Sequence, residues 1–213
     1  MDPVIVFQDS RFVVLDKPAG LPVHPVRAGG PSVEDWFGQL SRRKDGPWLA
    51  HRLDRDTAGC LVIALRKAAL LAAQAAFAGD GARKVYWAVV QGGPKDEAGS
   101  IAAPLRKVTV GHRWHMAAGP GGQPAVSDWR VLGRADGMSW LEVIPRTGRT
   151  HQVRAHCAAL GCPVLGDAIY GGGDGMLMLL ARSIRLELEP PVAAEAAVPA
   201  HMAALLERFS CCR

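Results

Sequence analysis

The chain lacks any run of apolar residues approaching the roughly 18 that a membrane-crossing helix needs, and its opening, MDPVIVFQDS, has no basic stretch ahead of an apolar one. These absences argue against a helical membrane span and a secretory leader, so a soluble protein of the cytoplasm is expected. There is no Cys-x-x-Cys and no His-Glu-x-x-His. His151, His156, Cys157 and Cys162 lie close in sequence, but helical geometry would scatter them around the axis, and no metal centre is expected. Walker and Rossmann glycine signatures are missing too: GGGDG at 171–175 has neither the Lys-Ser/Thr pair nor a strand-to-helix context. Five cysteines, an odd number, do not lay out a disulfide framework, which fits a reducing compartment. Heptads and internal repeats are absent as well, and a monomer is expected.

What is present is enough for a substantial core, since 49% of the 213 residues are hydrophobic. The 25 Lys+Arg against 20 Asp+Glu give a net charge of +5, a mild preference for polyanions. Strand-like runs occur at VIVF, RFVVLD, CLVIAL, KVYWAVV, DWRVL, SWLEVI and MLLARSIRLEL. Helical patterns are fewer. PSVEDWFGQL carries a capping signal in Ser32 and Asp35, KAALLAAQAAFAG stops at Gly79, RTHQVRAHCAALG ends at Gly161, and PAHMAALLERF lies near the C-terminus. Strands that follow one another without an intervening helix argue against a doubly wound parallel sheet. The expectation is one α+β domain over residues 1–213 on a mixed, mostly antiparallel sheet. Residues 118–124 and 171–175 read as surface loops, and Pro190 to Ala200 as a loop leading into the last helix.

Three segments could carry chemistry. In HRLDRDTAGCLVIAL, five ionisable residues from His51 to Asp56 precede a turn, Thr57-Ala58-Gly59, and a buried strand. Asp54 then sits at the lip of a sheet, flanked by Arg52 and Arg55, which favour the carboxylate a nucleophile or base requires. The alternative is a surface ion pair. In PRTGRTHQVRAH, Gly148 permits a turn, and Thr147 or Thr150 could cap the following helix, whose free N–H groups favour an anion. Val153, Cys157 and Leu160 form the buried stripe of that helix, with Arg154 about 100° away at its edge and His151 beyond. Arg154 can meet a carboxylate there, or snorkel over a solvated face. In RKVYWAVVQG, Tyr86 shares a strand face with Lys84 and Ala88, so it either stacks on a base and handles a proton or packs as a half-buried strand residue. Basic groups recur at SRRK (41–44), at Arg66-Lys67 and in PLRKVTVGHRWH (104–115), where Trp114 lies among Arg113, His112 and His115. Cations interleaved with an aromatic suit a phosphate backbone and unstacked bases, although each patch alone also suits an ordinary soluble surface.

Taken together, these segments resemble the RluA-type RNA pseudouridine synthases. HRLDRDTAG resembles that family's H-R-L-D-x-x-T-S-G, and TGRTHQVRAHCAALGCPVLGDAIYG its second long signature. KVYWAVVQG is similar to the K-x-Y-x-A-x-V-x-G strand and VVLDKPAGLPVHP to the N-terminal segment, in the same order, over residues from about 4 to about 188. The resemblance implies an eight-stranded mixed sheet with a central catalytic cleft, and catalysis without metal or cofactor. It implies Asp54 as the catalytic aspartate, Arg154 as the arginine that pairs with it and Tyr86 as the tyrosine beside the uracil. Arg52 would displace the target base and hold RNA, and His51, Arg149, Thr150 and His151 complete the RNA-binding set. The partner would be structured RNA, transfer or large-subunit ribosomal, found with the catalytic domain alone because no extra module precedes Val4.

The sequence departs from the family in places. Ala58 stands where Ser is usual, Leu180 where His is usual, and Ser127 where Thr is expected, while Trp129 keeps an aromatic. Two rivals compete with the enzyme reading: a non-catalytic RNA-binding protein or chaperone on the same fold, and a hydrolase using Asp54 on a small phosphorylated substrate. The trio of Asp54, Tyr86 and Arg154 argues against the first, and the missing second acidic cluster against the second.

Overall fold

The structure is a computed structural model that describes residues 2–27, 29–43, 45–111 and 113–210. Lys44 of the first basic patch, His112 beside Trp114, and Cys211-Cys212 therefore lie outside the described residues.

The chain begins with β1 (Ile5–Gln8) and β2 (Phe12–Lys17), then a 3-10 turn (Val33–Trp36) running into α1 (Phe37–Leu40). β3 (Trp48–Leu49), β4 (Ala58–Ala64), α2 (Lys67–Ala78) and β5 (Ala82–Gln91) follow. Next come β6 (Ala98–Ala102), β7 (Leu105–Val110), β8 (Arg113–Ala118), β9 (Val126–Ala135) and β10 (Met138–Pro145). The last elements are α3 (Gln152–Ala159), β11 (Leu179–Leu186), β12 (Val192–Glu195) and α4 (Ala200–Ser210). The fold is α+β. Its large sheet is mixed and mostly antiparallel, with eight strands in the order β1-β2-β4-β11-β5-β10-β9-β6 and two short additions, β12 beside β11 and β3 beside β4. Among the described helices none is long and apolar enough to cross a membrane.

The chain divides into two compact units: Met1–Lys84 with Leu180–Val198, and Val85–Leu179 with Pro199–Arg213. In the first, β2 and β4 pair antiparallel and β4 pairs in parallel with β11, Leu180 opposite Ala58. Every residue of β4 is buried, as are Phe12 to Leu15 of β2, so these strands read as continuous apolar runs without alternation. α2 ends at Gly79, whose N–H donates to the carbonyl of Ala75, as its sequence predicts. Ser32 N–H donates to Asp35 Oδ2 at 2.7 Å, the backbone half of the expected capping pair.

In the second unit β10 alternates strictly, with Ser139, Leu141, Val143 and Pro145 buried and the intervening residues half-buried. Leu141 and Val143 join Val153 and Cys157 of α3, with Leu160 packed alongside, so the expected stripe of α3 is its buried face. β7 and β8 form a separate two-stranded sheet.

Two expectations need correction. Pro190 to Ala200 is not all loop, because Val192–Glu195 forms β12 and pairs with β11; the alternation of buried Val192 and Ala194 with exposed neighbours is a strand pattern hidden in Ala-rich sequence. Neither Thr147 nor Thr150 caps α3. The N-cap is His151, in the left-handed region at φ 52°, and its side chain makes no capping bond.

Candidate active site

Asp54 belongs to the first unit. It is half-buried, in the tight bend that leads into β4, and its carbonyl accepts the N–H of the buried Thr57 at 3.2 Å. The bend is held by the segment that follows β2. Gly20 N–H donates to the Arg55 carbonyl at 3.0 Å, and Arg55 Nε returns a bond to the Gly20 carbonyl at 3.0 Å. Lys17, fully buried, donates from Nζ to the carbonyls of Pro18, Leu21 and Arg55 at 2.9, 2.9 and 2.8 Å. Burial pulls its ammonium pKa down to about 8, against the opposing pull of the Asp56 and Asp54 charges. Gly59 closes the bend at φ 110°, where a Cβ would overlap the backbone of Ala181 on β11.

The other charges of this segment divide. Arg52 is exposed, and Arg55 and Asp56 form a long, solvated pair at 4.0 Å. His51 turns inward. Its Nε2 accepts the N–H of Val62 at 3.0 Å, its ring lies 5.0 Å from that of Phe77, and burial, aided by the Lys84 charge, lowers its pKa to about 3, so it is a neutral acceptor.

Tyr86 and Arg154 belong to the second unit. Tyr86 is half-buried on β5 opposite Val143, and packs against the core that contains Val153. Arg154 is buried on the first turn of α3, and its guanidinium meets the carboxylate of buried Asp167 in a two-point contact, Nε to Oδ2 at 2.7 Å and Nη2 to Oδ1 at 2.8 Å. Asp167 Oδ1 also accepts the N–H groups of Ile169 and Tyr170. The Tyr170 ring lies 5.3 Å from the Arg154 guanidinium carbon. Its hydroxyl accepts the N–H of Met116 at 2.9 Å and sits 3.1 Å from His151 Nδ1. His151 and Arg154 are thus brought together through Tyr170.

The turn before α3 is organised by Gln152, whose amide uses both ends. Its oxygen accepts from the Thr147 hydroxyl and the Arg149 N–H, and its nitrogen donates to the Val126 carbonyl and the Ser127 hydroxyl. Arg149 Nε donates to the Pro124 carbonyl, and Thr150 is exposed. His156 donates from Nε2 to the Ala103 carbonyl and accepts the Ser127 hydroxyl at Nδ1, an internal tie rather than a ligand position. Cys157 and Cys162 are buried, and among the described residues no group of three or more His, Cys, Asp or Glu could hold a metal ion.

Sequence reasoning assigned no role to Lys17, Gln152, Asp167 or Tyr170. All four stand in the quoted stretches VVLDKPAGLPVHP and TGRTHQVRAHCAALGCPVLGDAIYG, but their partners are backbone groups and residues on other elements, which periodicity does not report.

Comparison with known proteins bears on this arrangement. The profile of the RNA pseudouridylate synthase family matches residues 11–159. An uncharacterized RNA pseudouridine synthase of Zymomonas mobilis is 39% identical over 205 residues, covering 92% of this chain and 93% of its own. Ribosomal large subunit pseudouridine synthase D of Borreliella burgdorferi is 30% identical over 203 residues, 87% of this chain and 60% of that protein. Human RNA pseudouridylate synthase domain containing 4 superposes with a TM-score of 0.81 at 26% identity, covering 97% of this chain and 93% of the other. The chain belongs to the RNA pseudouridylate synthase family and is an isomerase that converts uridine in RNA to pseudouridine.

Proposed function

We propose that the substrate is a uridine in large-subunit ribosomal or transfer RNA, and that Asp54 is the group that reacts. The observation that carries this is the construction of the Asp54 bend. Its backbone is fixed by Lys17 Nζ, Gly20 N–H and the Thr57 N–H, while the carboxylate stays half-exposed at the mouth of a buried strand. A rigid bend that presents a carboxylate is what a reacting group needs, and a solvated ion pair needs none of it. Isomerisation breaks the N-glycosidic bond, turns the uracil and forms a carbon–carbon bond. The nucleotide is flipped out of its stem first, at a cost of a few kcal/mol.

In this reading, carried by the family resemblance, Arg154 acts on Asp54 and Tyr86 lies against the uracil. Arg52, Arg149, Thr150 and His151 hold the RNA. The reading of ribosomal RNA is supported by the name of the Borreliella relative.

The test is pseudouridine mapping of ribosomal and transfer RNA from a strain lacking the gene, complemented by wild type or by Asp54→Asn. We expect one or more sites to vanish on deletion, to return with wild type, and to stay at least ~10²-fold slower with Asp54→Asn. Return at the wild-type rate with the variant would remove Asp54 from the reaction. An unchanged map on deletion would remove both RNA classes.

A further inference from the structure

The loop from Leu165 to Met178 is closed by its own backbone. Gly166 N–H donates to the Gly172 carbonyl at 2.9 Å, Gly171 and Gly172 N–H both donate to the Asp167 carbonyl, and Met178 N–H donates to the Leu165 carbonyl at 2.9 Å. A loop tied in this way keeps its shape without a large side chain at position 170. Its side chains nonetheless divide sharply. Apolar Ile169 is 49% exposed, while Tyr170 is turned in and half-buried.

The carboxylate of Asp167 turns Tyr170 inward. Its Oδ1 accepts the N–H groups of Ile169 and Tyr170 at 3.1 and 3.2 Å, and the same carboxylate holds the Arg154 guanidinium. One buried group therefore sets both the cation and the backbone that carries the ring to it. The ring is held at two further points. It packs against the cluster of Leu105, Ala125 and Ala155, and its hydroxyl accepts the N–H of Met116 and meets His151 Nδ1. Those hydroxyl partners come from β8 and from the residue that begins α3, so elements other than its own loop fix the tilt of the ring.

We propose that Tyr170 is a positioning residue for the reaction, whose ring steadies the Arg154 guanidinium while Asp167 holds its edge. The two-point pair with Asp167 fixes the guanidinium within its own plane. The ring, whose centroid lies 5.3 Å from the guanidinium carbon, attracts the cation and restrains it against leaving that plane. It also keeps water from the cation, and a drier cation acts more strongly on a carboxylate. A Tyr170 that merely filled the core would be replaceable by any apolar side chain of its size, whatever the charge on its ring face. The inference rests on the reading that Arg154 serves Asp54.

The experiment follows tritium release from total RNA of a strain lacking the gene, labelled with uridine tritiated at carbon 5, where the new carbon–carbon bond displaces the hydrogen. Wild type is compared with Tyr170→Leu, Tyr170→Phe and Tyr170→trifluorophenylalanine, each checked for folding by its melting curve. Tyr170→Leu should lower kcat roughly tenfold with KM nearly unchanged, and Tyr170→Phe should recover most of that loss. Trifluorophenylalanine keeps the shape of Phe but drains negative charge from the ring face, so its kcat should fall between the two. Equal kcat for the two phenylalanines overturns the proposal, and this comparison holds even where Tyr170→Leu does not fold. Wild-type kcat in a folded Tyr170→Leu, or a change confined to KM, overturns it as well. A second readout is the side-chain Nε–H resonance of Arg154, identified by its loss in Arg154→Lys. Its exchange with solvent should be faster in Tyr170→Leu than in wild type or Tyr170→Phe, and equal exchange in all three overturns the contact. Arg154→Lys also separates this inference from the reading beneath it. If that variant keeps wild-type kcat while the exchange still responds to Tyr170, the role of Arg154 fails and the ring contact stands. A disabled Arg154→Lys beside a fully active Tyr170→Leu sinks Tyr170 alone.

Discussion

Arg154 and Asp167 meet in a two-point ion pair from which water is almost wholly excluded: Arg154 is 7% exposed and Asp167 1%. The aspartate fixes the plane of the guanidinium and is itself fixed by two backbone N–H groups, so Arg154 is aimed before any substrate arrives. Asp167→Ala should cost about 3–5 kcal/mol in urea unfolding, the usual cost of removing one partner of a buried pair. Asp167→Asn keeps the shape and should cost less. At equal folding it should lower kcat more than it raises KM, which follows from the role proposed above for Arg154. Wild-type kcat in a folded Asp167→Asn would separate this pair from catalysis.

Lys17 makes a second prediction, with a defined pH window. The folded-state pKa near 8 lies below the ordinary 10.5, so between those values the unfolded chain binds more protons and stability rises with pH. Unfolding measured at pH 8, 9 and 10 should show a rise in wild type that is smaller in Lys17→Met. The variant should be less stable throughout by roughly 1–3 kcal/mol, since three carbonyls lose a buried donor. Equal pH slopes would dissociate the ammonium from the rise.

His51 acts in the acid range. Its folded pKa near 3 lies below the ordinary 6.5, so stability is fully present above pH 6.5 and drains as pH falls toward 3. The slope from this one group reaches up to about 1.4 kcal/mol per pH unit. His51→Gln should flatten the loss of Tm between pH 6.5 and 4, and an unchanged profile would remove His51 as its source.

Ala58 and Leu180, two of the three departures from the family pattern, are direct partners across β4 and β11, and both are buried. An apolar pair here stands where the resemblance leads one to expect Ser and His, and its direct pairing predicts that the two substitutions are energetically coupled. Ala58→Ser and Leu180→His should each destabilise, and the double variant should lose less than the sum by roughly 0.5–3 kcal/mol. Strict additivity in a double-mutant cycle would show the two positions to be independent.

Much of this was legible in the sequence. Runs such as Phe12 to Leu15 and Cys60 to Ala64 announce buried strands by content alone, and β10 announces itself by alternation. β12 escaped because Ala193, Ala194 and Pro191 look like loop, and β6 because AGSIA has a single β-branched residue. At the site, Asp54, Tyr86 and Arg154 stood out as motif residues. Asp167 did not, because its role depends on a contact thirteen positions away, and Lys17 did not, because its partners are carbonyl oxygens that carry no sequence signature. His51 read as one of the RNA-binding residues, and its acceptor bond to the Val62 N–H, which no spacing signals, gives it an internal partner.

The parallel pairing of β11 with β4 sets a timetable for synthesis. The first unit needs residues 180–198 as well as those up to 84, and the intervening 95 residues (179 − 84) take roughly 5–20 s to add at ribosomal rates of 5–20 residues per second. During that interval Ala58 and Gly59, at the foot of the Asp54 bend, have no β11 beside them. The nascent chain thus leaves the start of β4, where the Asp54 bend enters it, without its parallel neighbour until Leu180 and Ala181 have been made, while β3 already pairs with its far end at Ile63 and Ala64.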